Sequence, residues 1–310
     1  PSSAASDVYK RQVLGTFTGQ VFASNVKMAD EQNLQVYLEQ VIGQGKARNY
    51  KNLDELNRVS AWIKEQMRLL GVPCHYQNFT ANQQIYRNVV CSLNVGRPDR
   101  VIVGAHYDVF GDQDGADDNA SGVAGVIETA RILAEQKFKL PNNVDFVFYS
   151  LEEPPFSKTE QMGSYVHAKS VQSQKDKIKG VYILEMIGFF SEQTIQSYPV
   201  GLKWIYPTHG NFIATVSNVS SRDLGAGYCA AMQQLDQLEC QRLVAPSFAN
   251  AFDFSDHLNY WEFDIPAVMI TDTAFYRNGH YHTKADRLAT LNLTKMANVI
   301  DGLVQHLLKP

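Results

Sequence analysis

The chain runs Val101-Ile-Val-Gly-Ala-His106, an apolar stretch that stops on a histidine. Two later stretches have the same form but stop on acids, one at Glu152-Glu153 and one at Glu185. Short runs rich in valine, isoleucine and phenylalanine are typical of buried strands. Ligand sites in open α/β sheets gather beyond the carboxyl ends of the strands. We therefore expect the histidine and the three acids to converge on one crevice.

Around these stretches, strand-like and helical patterns alternate along the chain. This alternation predicts an α/β fold with a mostly parallel central sheet and helices on both faces. The predicted strands cover residues 72–80, 85–95, 101–105, 144–151, 181–184, 212–217 and 267–270. The predicted helices cover residues 33–44, 54–70, 119–136, 164–174, 224–237 and 293–308. Residues 191–210 fit neither pattern and are predicted to form a long, functional loop.

The composition limits the possible partners. Of the 310 residues, 45% are hydrophobic and 19% are charged, which is ordinary for a globular protein. The net charge of −4 argues against a nucleic-acid partner. No stretch approaches the ~18 apolar residues of a membrane span. We expect one domain over residues 13–310. Residues 7–12, Asp7-Val-Tyr-Lys-Arg-Gln12, match a translated sequencing adaptor. We therefore expect residues 1–12 to be a non-native scar outside the fold, with a natural polar leader as the alternative.

The four cysteines suggest two pairs. Cys74 and Cys91 are equidistant from a turn centred on Asn82-Gln83, so a hairpin would place them opposite each other. They are either a cross-strand disulfide in an exported protein or two half-buried thiols. Residues 229 and 240 form a second candidate pair, with less support, and zinc-knuckle spacing is absent from the sequence.

Two motifs put acids beside candidate metal ligands. His106-Tyr-Asp108 places two side chains on one side of an extended segment, and a metal-bound histidine usually donates its other N–H to a carboxylate. Asp108 is therefore a candidate partner of His106. In Gly115-Ala-Asp117-Asp118-Asn119, consecutive acids precede a helix. Helix capping explains Asp118 or Asn119 well, whereas Asp117 follows a flexible loop and is expected to bridge two metals.

The remaining candidates complete a metal-type cluster. Adjacent Glu152 and Glu153 repel each other unless a positive charge lies between them. One could ligate a metal while the other acts as general base on bound water, although two exposed surface acids are the alternative. Glu185 and His282 are ambiguous alone. Two histidines with several carboxylates and no cysteine suit Zn²⁺, Mn²⁺ or Co²⁺.

The order and spacing of this set resemble the M28 metallopeptidases, the co-catalytic zinc aminopeptidase family. The resemblance extends over about residues 88–288. The motifs that carry it are His106-Tyr-Asp, Gly115-Ala-Asp-Asp-Asn-Ala-Ser-Gly, Glu152-Glu153, Glu185-Met, Ser255-Asp-His and His282-Thr. The resemblance implies two Zn²⁺ ions, with Mn²⁺ or Co²⁺ as substitutes.

The resemblance also assigns ligands. His106, Asp117 and Glu185 would hold one zinc ion. Asp117, Glu153 and His282 would hold the other, so that Asp117 bridges the two ions.

Supporting roles follow from the same resemblance. Glu152 would be the general base, and Asp108 would orient the histidine that precedes it in the motif. Asp118 would support the ligands from behind, after a cis peptide bond that joins it to Asp117. Ser255 would be the partner of the second histidine ligand.

Two positions depart from the family pattern. Many family aminopeptidases have aspartate where this chain has Glu185, which leaves the direction of exopeptidase action open. Some members offer a tyrosine just before the Ser-Asp-His motif to stabilise the oxyanion. The nearest residue here is Phe252, so Tyr276 and Tyr281 are the candidates, unless the metals alone polarise the carbonyl.

The long loop carries the aromatic residues Tyr198, Trp204 and Tyr206. It either walls an apolar pocket for a substrate side chain or is a packed Ω-loop. The resemblance implies a secreted or periplasmic exopeptidase with peptide substrates, most simply an aminopeptidase. The alternatives are a glutaminyl cyclase with one zinc ion, a carboxypeptidase of the same family, and a non-catalytic receptor-like relative.

Overall fold

The residues described by this computed structural model, 28–43, 45–199, 202–245 and 255–309, build an eight-stranded mixed sheet. Its strands are β1 (Cys74–Ala81), β2 (Gln84–Leu93), β3 (Arg100–His106), β4 (Asn143–Tyr149), β5 (Ile178–Glu185), β6 (Phe212–Ser217), β7 (Glu239–Val244) and β8 (Ala267–Thr271). They lie in the order β1-β2-β4-β3-β5-β8-β6-β7. The central strands β4, β3, β5 and β8 are parallel, while β2 and β6 join them antiparallel. The predicted α/β class with a mostly parallel centre is confirmed.

Helices cover both faces of this sheet. They are α1 (Glu31–Ile42), α2 (Leu53–Leu69), α3 (Gly122–Glu135), α4 (Gly163–Val171), α5 (Arg222–Leu235), α6 (His257–Trp261) and α7 (Leu293–Leu307). Three of them begin at side chains that accept a hydrogen bond from the first turn, namely Asp30, Asn52 and Asn292. The larger core lies under α1, α2, α3, α5 and α7, and a smaller core lies under α4 and α6.

The alternation of side chains along β3 explains how one strand serves both cores. Val103 and Ala105 pack into the larger core, and Ile102 packs into the smaller one. Burial on both faces requires a continuous apolar run, which is why the polar residue that ends it, His106, stands out in the sequence.

The hairpin of β1 and β2 has the predicted register. Cys74 lies opposite Cys91, with a Cα–Cα distance of 4.0 Å and a disulfide between them. The turn residues Asn82 and Gln83 both have positive φ, as in the tight turns that suit hairpin twist. A second disulfide joins Cys229 of α5 to residue 240 of β7.

Two elements were not predicted. Strand β7 has a polar and partly exposed sequence, so it lacks the apolar run that marks a buried strand. Helix α6 has only five residues, which is too short for a helical period to be recognised. Among the described helices, none is both long enough and apolar enough to cross a membrane. The prediction for residues 1–12 lies outside the described residues, and the single domain over 13–310 stays a prediction.

Candidate metal centre

The carboxyl ends of three parallel strands bring the predicted residues together. His106 is the last residue of β3 and Glu185 is the last residue of β5. Glu152 follows β4 after Leu151, whose positive φ turns the chain towards the crevice. Nε2 of His106 lies 3.4 Å from Oε2 of Glu185 and 3.9 Å from Oε2 of Glu152. These side chains converge as the strand pattern predicts.

Asp118 lies between the two histidines. Its Oδ1 is 3.5 Å from Nε2 of His106, and its Oδ2 is 3.1 Å from Nε2 of His282. The prediction that Asp117 bridges the centre, with Asp118 behind it, is therefore corrected. The cis peptide bond follows the bridging position and joins Asp118 to Asn119, one residue later than predicted.

Asp117 points away from this group of side chains and forms hydrogen bonds with two other loops. Its Oδ1 accepts a hydrogen bond from the Gly188 N–H (2.9 Å), and its Oδ2 accepts one from Nδ2 of Asn278 (2.7 Å). The segment Ala116–Ser121 is irregular, with non-helical backbone angles at Asp118 and Asn119. Consecutive side chains in such a segment have no fixed period, so sequence spacing could not separate the two acids.

His282 completes a second group with Asp118 and Glu153. Its Nε2 lies 3.2 Å from Oε2 of Glu153. The imidazole is stacked between Phe110 and Tyr281, with ring centroids 4.2 Å and 3.8 Å away. Stacking on both faces fixes the ring plane and leaves Nε2 directed at the carboxylates.

The donor set fits metal ions. His106 and Asp118 with Glu185, and Asp118 with Glu153 and His282, form two groups whose donor atoms lie within 4.8 Å of one another. Four buried atoms of this set, Nε2 of both histidines, Oδ2 of Asp118 and Oε1 of Glu153, lack a hydrogen-bond partner among the described residues. Such orphaned atoms are costly unless a ligand satisfies them. Three nitrogen and oxygen donors in each group suit a zinc site that keeps an open position.

The electrostatic environment of the crevice also favours a bound cation. Burial and the neighbouring Asp118 raise the pKa of Glu153 to about 8. Burial, together with repulsion from Glu153 and Glu185, raises the pKa of Glu152, although His106 opposes this. Although burial acts to raise the pKa of Asp118, the adjacent imidazoles of His106 and His282 lower it. The carboxylates therefore repel one another, and positive charge in the crevice would relieve the repulsion.

Asp108 braces the two glutamates as well as the histidine. Its carboxylate accepts hydrogen bonds from the backbone N–H groups of Glu152 (3.1 Å) and Glu153 (3.2 Å). Its Oδ1 lies 3.6 Å from Nδ1 of His106, and its own carbonyl oxygen lies 3.2 Å from the same atom. Asp108 therefore lies beside His106 as predicted, and it also positions the segment that follows β4.

Ser255 is the partner of a different ligand from the one predicted. Its Oγ donates a hydrogen bond to Oε2 of Glu185 at 2.7 Å, so its assignment to His282 is corrected. The longer glutamate arm brings Glu185 within reach of Ser255 and of Nδ2 of Asn119, which lies 3.3 Å away.

An apolar cavity of about 100 Å³ adjoins Glu185. Tyr198 and Tyr206 of the long loop line it, together with the oxyanion candidates Tyr276 and Tyr281. Strands β6, β7 and β8 also contribute to the lining, with Phe212, Leu243, Met269 and Thr271 among their residues. The assignment of Trp204 to the pocket is wrong, because its side chain is 77% exposed and is not part of the lining. Phe252 lies outside the described residues.

Comparison with known proteins identifies the family. The model for peptidase family M28 matches residues 88–307. The chain belongs to peptidase family M28. It is 41% identical over 267 residues to the Escherichia coli K12 protein "Uncharacterized protein YfbL", covering 83% of this chain and 81% of that protein. It is 23% identical over 282 residues to leucine aminopeptidase 1 of Trichophyton rubrum, covering 84% and 70%.

Solved structures share the M28 fold. The LapA aminopeptidase of Legionella pneumophila superposes with a TM-score of 0.71 at 19% identity, covering 91% of this chain and 72% of LapA. The glutaminyl cyclase of Porphyromonas gingivalis superposes with a TM-score of 0.69 at 18% identity, covering 91% and 98%. At these identities the likeness shows the fold alone. The two solved structures share this fold, although one is an aminopeptidase and the other a glutaminyl cyclase.

Two residues that support the candidate metal centre carry no signal in the sequence. The Asp286 carboxylate accepts hydrogen bonds from the backbone N–H groups of Asp117 (2.8 Å) and Asp118 (3.1 Å). The buried guanidinium of Arg48, which precedes the matched M28 region, donates to the carbonyl oxygens of Tyr107 (2.8 Å) and Gly115 (2.7 Å). Both act on backbone atoms far away in sequence, so their own neighbours in the chain carry no signal for these roles.

Proposed function

We propose that this M28 peptidase is an aminopeptidase that binds two zinc ions, with Asp118 shared between them. The observation that carries the proposal is the pair of three-residue ligand groups that have Asp118 in common. One ion would be held by His106, Asp118 and Glu185. The other would be held by Asp118, Glu153 and His282. The family's leucine aminopeptidases support the reaction class.

When bound, zinc polarises a carbonyl oxygen and lowers the pKa of water. The protein's own residues would then move the proton. Glu152 lies at the edge of the ligand groups, with Oε2 3.9 Å from Nε2 of His106. We propose that Glu152 takes a proton from the attacking water and delivers it to the leaving amine nitrogen. Burial raises its pKa, which favours a carboxyl group that can both accept and release a proton near neutral pH.

The cavity supports the exopeptidase geometry. Glu185 belongs to a ligand group and also lines the cavity. A substrate side chain in the cavity would therefore bring its own α-amine and carbonyl to the metal centre. The surrounding carboxylates favour a positively charged amine, so a free N-terminus is the expected recognition element. Tyr281, which lines the same cavity, is the proposed donor to the developing oxyanion.

The disulfides support an oxidising compartment. Bonds between residues 74 and 91 and between residues 229 and 240 persist outside the reducing cytosol. We propose that the protein acts in a secreted or periplasmic setting.

The test combines four substrates, the last of them an N-acetylated peptide with a free carboxyl end, with one control variant. Metal-replete protein should hydrolyse a leucyl anilide and leave its N-acetylated form intact. It should not cyclise an N-terminal glutaminyl peptide. The variant Glu152→Gln, prepared in parallel, should lose the activity, which excludes a contaminating peptidase.

Each other outcome selects an alternative. Cyclisation without hydrolysis would identify a glutaminyl cyclase. Trimming of an N-acetylated peptide from its carboxyl end would identify a carboxypeptidase. Absence of turnover on every substrate would identify a non-catalytic relative.

A further inference from the structure

Strand β7 forms the outer wall of the substrate cavity. Gln241, Arg242 and Leu243 of this strand line the cavity. Among the described strands, β7 pairs with β6 alone and so lies at the edge of the sheet. Of its six residues, none is buried, so packing does little to hold the strand in place.

The opposite face of this wall is covalently fixed. Successive side chains of a strand point to opposite faces, so Cys240 points away from Gln241 and Leu243. Cys240 is bonded to Cys229 of α5. Besides the β6 ladder and the disulfide, the Tyr206 hydroxyl holds the wall by donating a hydrogen bond to the Arg242 carbonyl oxygen (2.7 Å).

Helix α5 is a firm anchor for the disulfide. Its residues Tyr228 and Met232 are fully or almost fully buried. The Tyr228 hydroxyl donates a hydrogen bond to the Val299 carbonyl oxygen of α7 at 3.2 Å, within an extensive contact between the two helices. The disulfide therefore connects a poorly packed cavity wall to a well-packed helix.

We infer that the Cys229–Cys240 disulfide is a specificity-determining element that holds β7 in place and thereby sets the preference for bulky apolar substrate side chains. The inference rests on the proposed function for its kinetic test. The metal centre should not depend on this bond, because β7 is three strands away from β5 and contributes none of the ligand residues found in the described chain. Binding of a large side chain would suffer, and the chemical step would not.

The second disulfide provides a matched control. Cys74–Cys91 joins β1 and β2 at the other edge of the sheet, far from the cavity lining. The bonded cysteines are 17 residues apart in that pair and 11 residues apart in Cys229–Cys240. Closed loops of such similar length should give similar losses of stability when either bond is removed.

The experiment compares C229S/C240S with C74S/C91S, well below both melting temperatures. The ratio of kcat/KM for a leucyl over an alanyl anilide should fall about 10-fold in C229S/C240S, which is the scale of a lost apolar pocket contact. The change should appear in KM for the leucyl substrate, with zinc content unchanged. C74S/C91S should keep the wild-type ratio. An unchanged ratio in C229S/C240S, or an equal fall in both variants, would overturn the inference.

Two further measurements keep the inference testable. If C229S/C240S does not fold, reduction of folded C74S/C91S removes only the Cys229–Cys240 bond and should produce the same fall in selectivity. If wild-type protein hydrolyses neither substrate, the proposed function fails. Titration calorimetry can still test whether the disulfide-held β7 wall sets the preference for a bulky side chain. L-Leucine should then bind more tightly than L-alanine to the wild type, and C229S/C240S should lose that difference. Equal preference in both proteins would contradict the inference.

Discussion

The shared ligand gives the sharpest contrast between two neighbouring acids. Asp118→Asn should lose both metals, because the carboxylate offers one oxygen to each ligand group and an amide keeps only one oxygen. Removing a partner outside the ligand shell typically costs 10–100-fold in metal affinity. Loss of a shared ligand should therefore lower the affinity for the metal ions by more than about 100-fold and abolish peptide hydrolysis.

Asp117→Asn is the matched control. Asp117 accepts hydrogen bonds from the Gly188 N–H and from Nδ2 of Asn278, and an asparagine keeps one acceptor for two donors. One buried donor left unpaired costs roughly 1–3 kcal/mol, so this variant should melt earlier yet retain its metals. Elemental analysis after dialysis, together with thermal unfolding of both variants, makes the comparison. Loss of metal from Asp117→Asn with full retention in Asp118→Asn would refute the assignment.

Three further changes test other parts of the account. Glu152→Gln should retain its metals and lose on the order of 10²-fold or more in kcat, whereas Glu153→Gln should weaken metal binding as well; the reverse pattern in kinetics and elemental analysis would invert the two roles. Met269→Trp should fill the cavity and raise KM for leucyl substrates more than for alanyl substrates, with zinc content unchanged. An equal effect on both substrates would show that the cavity does not bind the substrate side chain. Burial lowers the pKa of His306 to about 4, and its neutral Nε2 accepts a hydrogen bond from the Tyr182 hydroxyl. Because an unfolded histidine titrates near 6.5, the stabilisation is complete above pH ~6.5 and is lost as pH falls towards 4. Urea unfolding of His306→Gln should therefore show a smaller loss of stability than the wild type across this range, and equal slopes would contradict the assignment.

Sequence patterns predicted those parts of the molecule that have a fixed period. The polar residues that end β3 and β5 and follow β4 lie together, because buried parallel strands need continuous apolar runs and their carboxyl ends share one edge. The Cys74–Cys91 pairing followed from hairpin symmetry about the turn between them. Period and symmetry were sufficient in both cases.

The errors fall where backbone geometry is irregular or contacts are distant in sequence. Asp117 and Asp118 could not be distinguished, because the segment they share has no repeating geometry. Strand β7 was missed because an exposed edge strand needs no apolar run. The contacts of Ser255 and Arg48 depend on where other elements lie in three dimensions, and spacing along the chain does not encode that.

Anomalous scattering at the zinc absorption edge, from crystals of metal-replete protein, would show directly whether Asp118 is shared between two zinc ions. Two peaks are expected, one on each side of Asp118. One peak should lie among His106, Asp118 and Glu185, and the other among Asp118, Glu153 and His282. A single peak, or a pair of peaks bridged by a residue other than Asp118, would contradict this assignment.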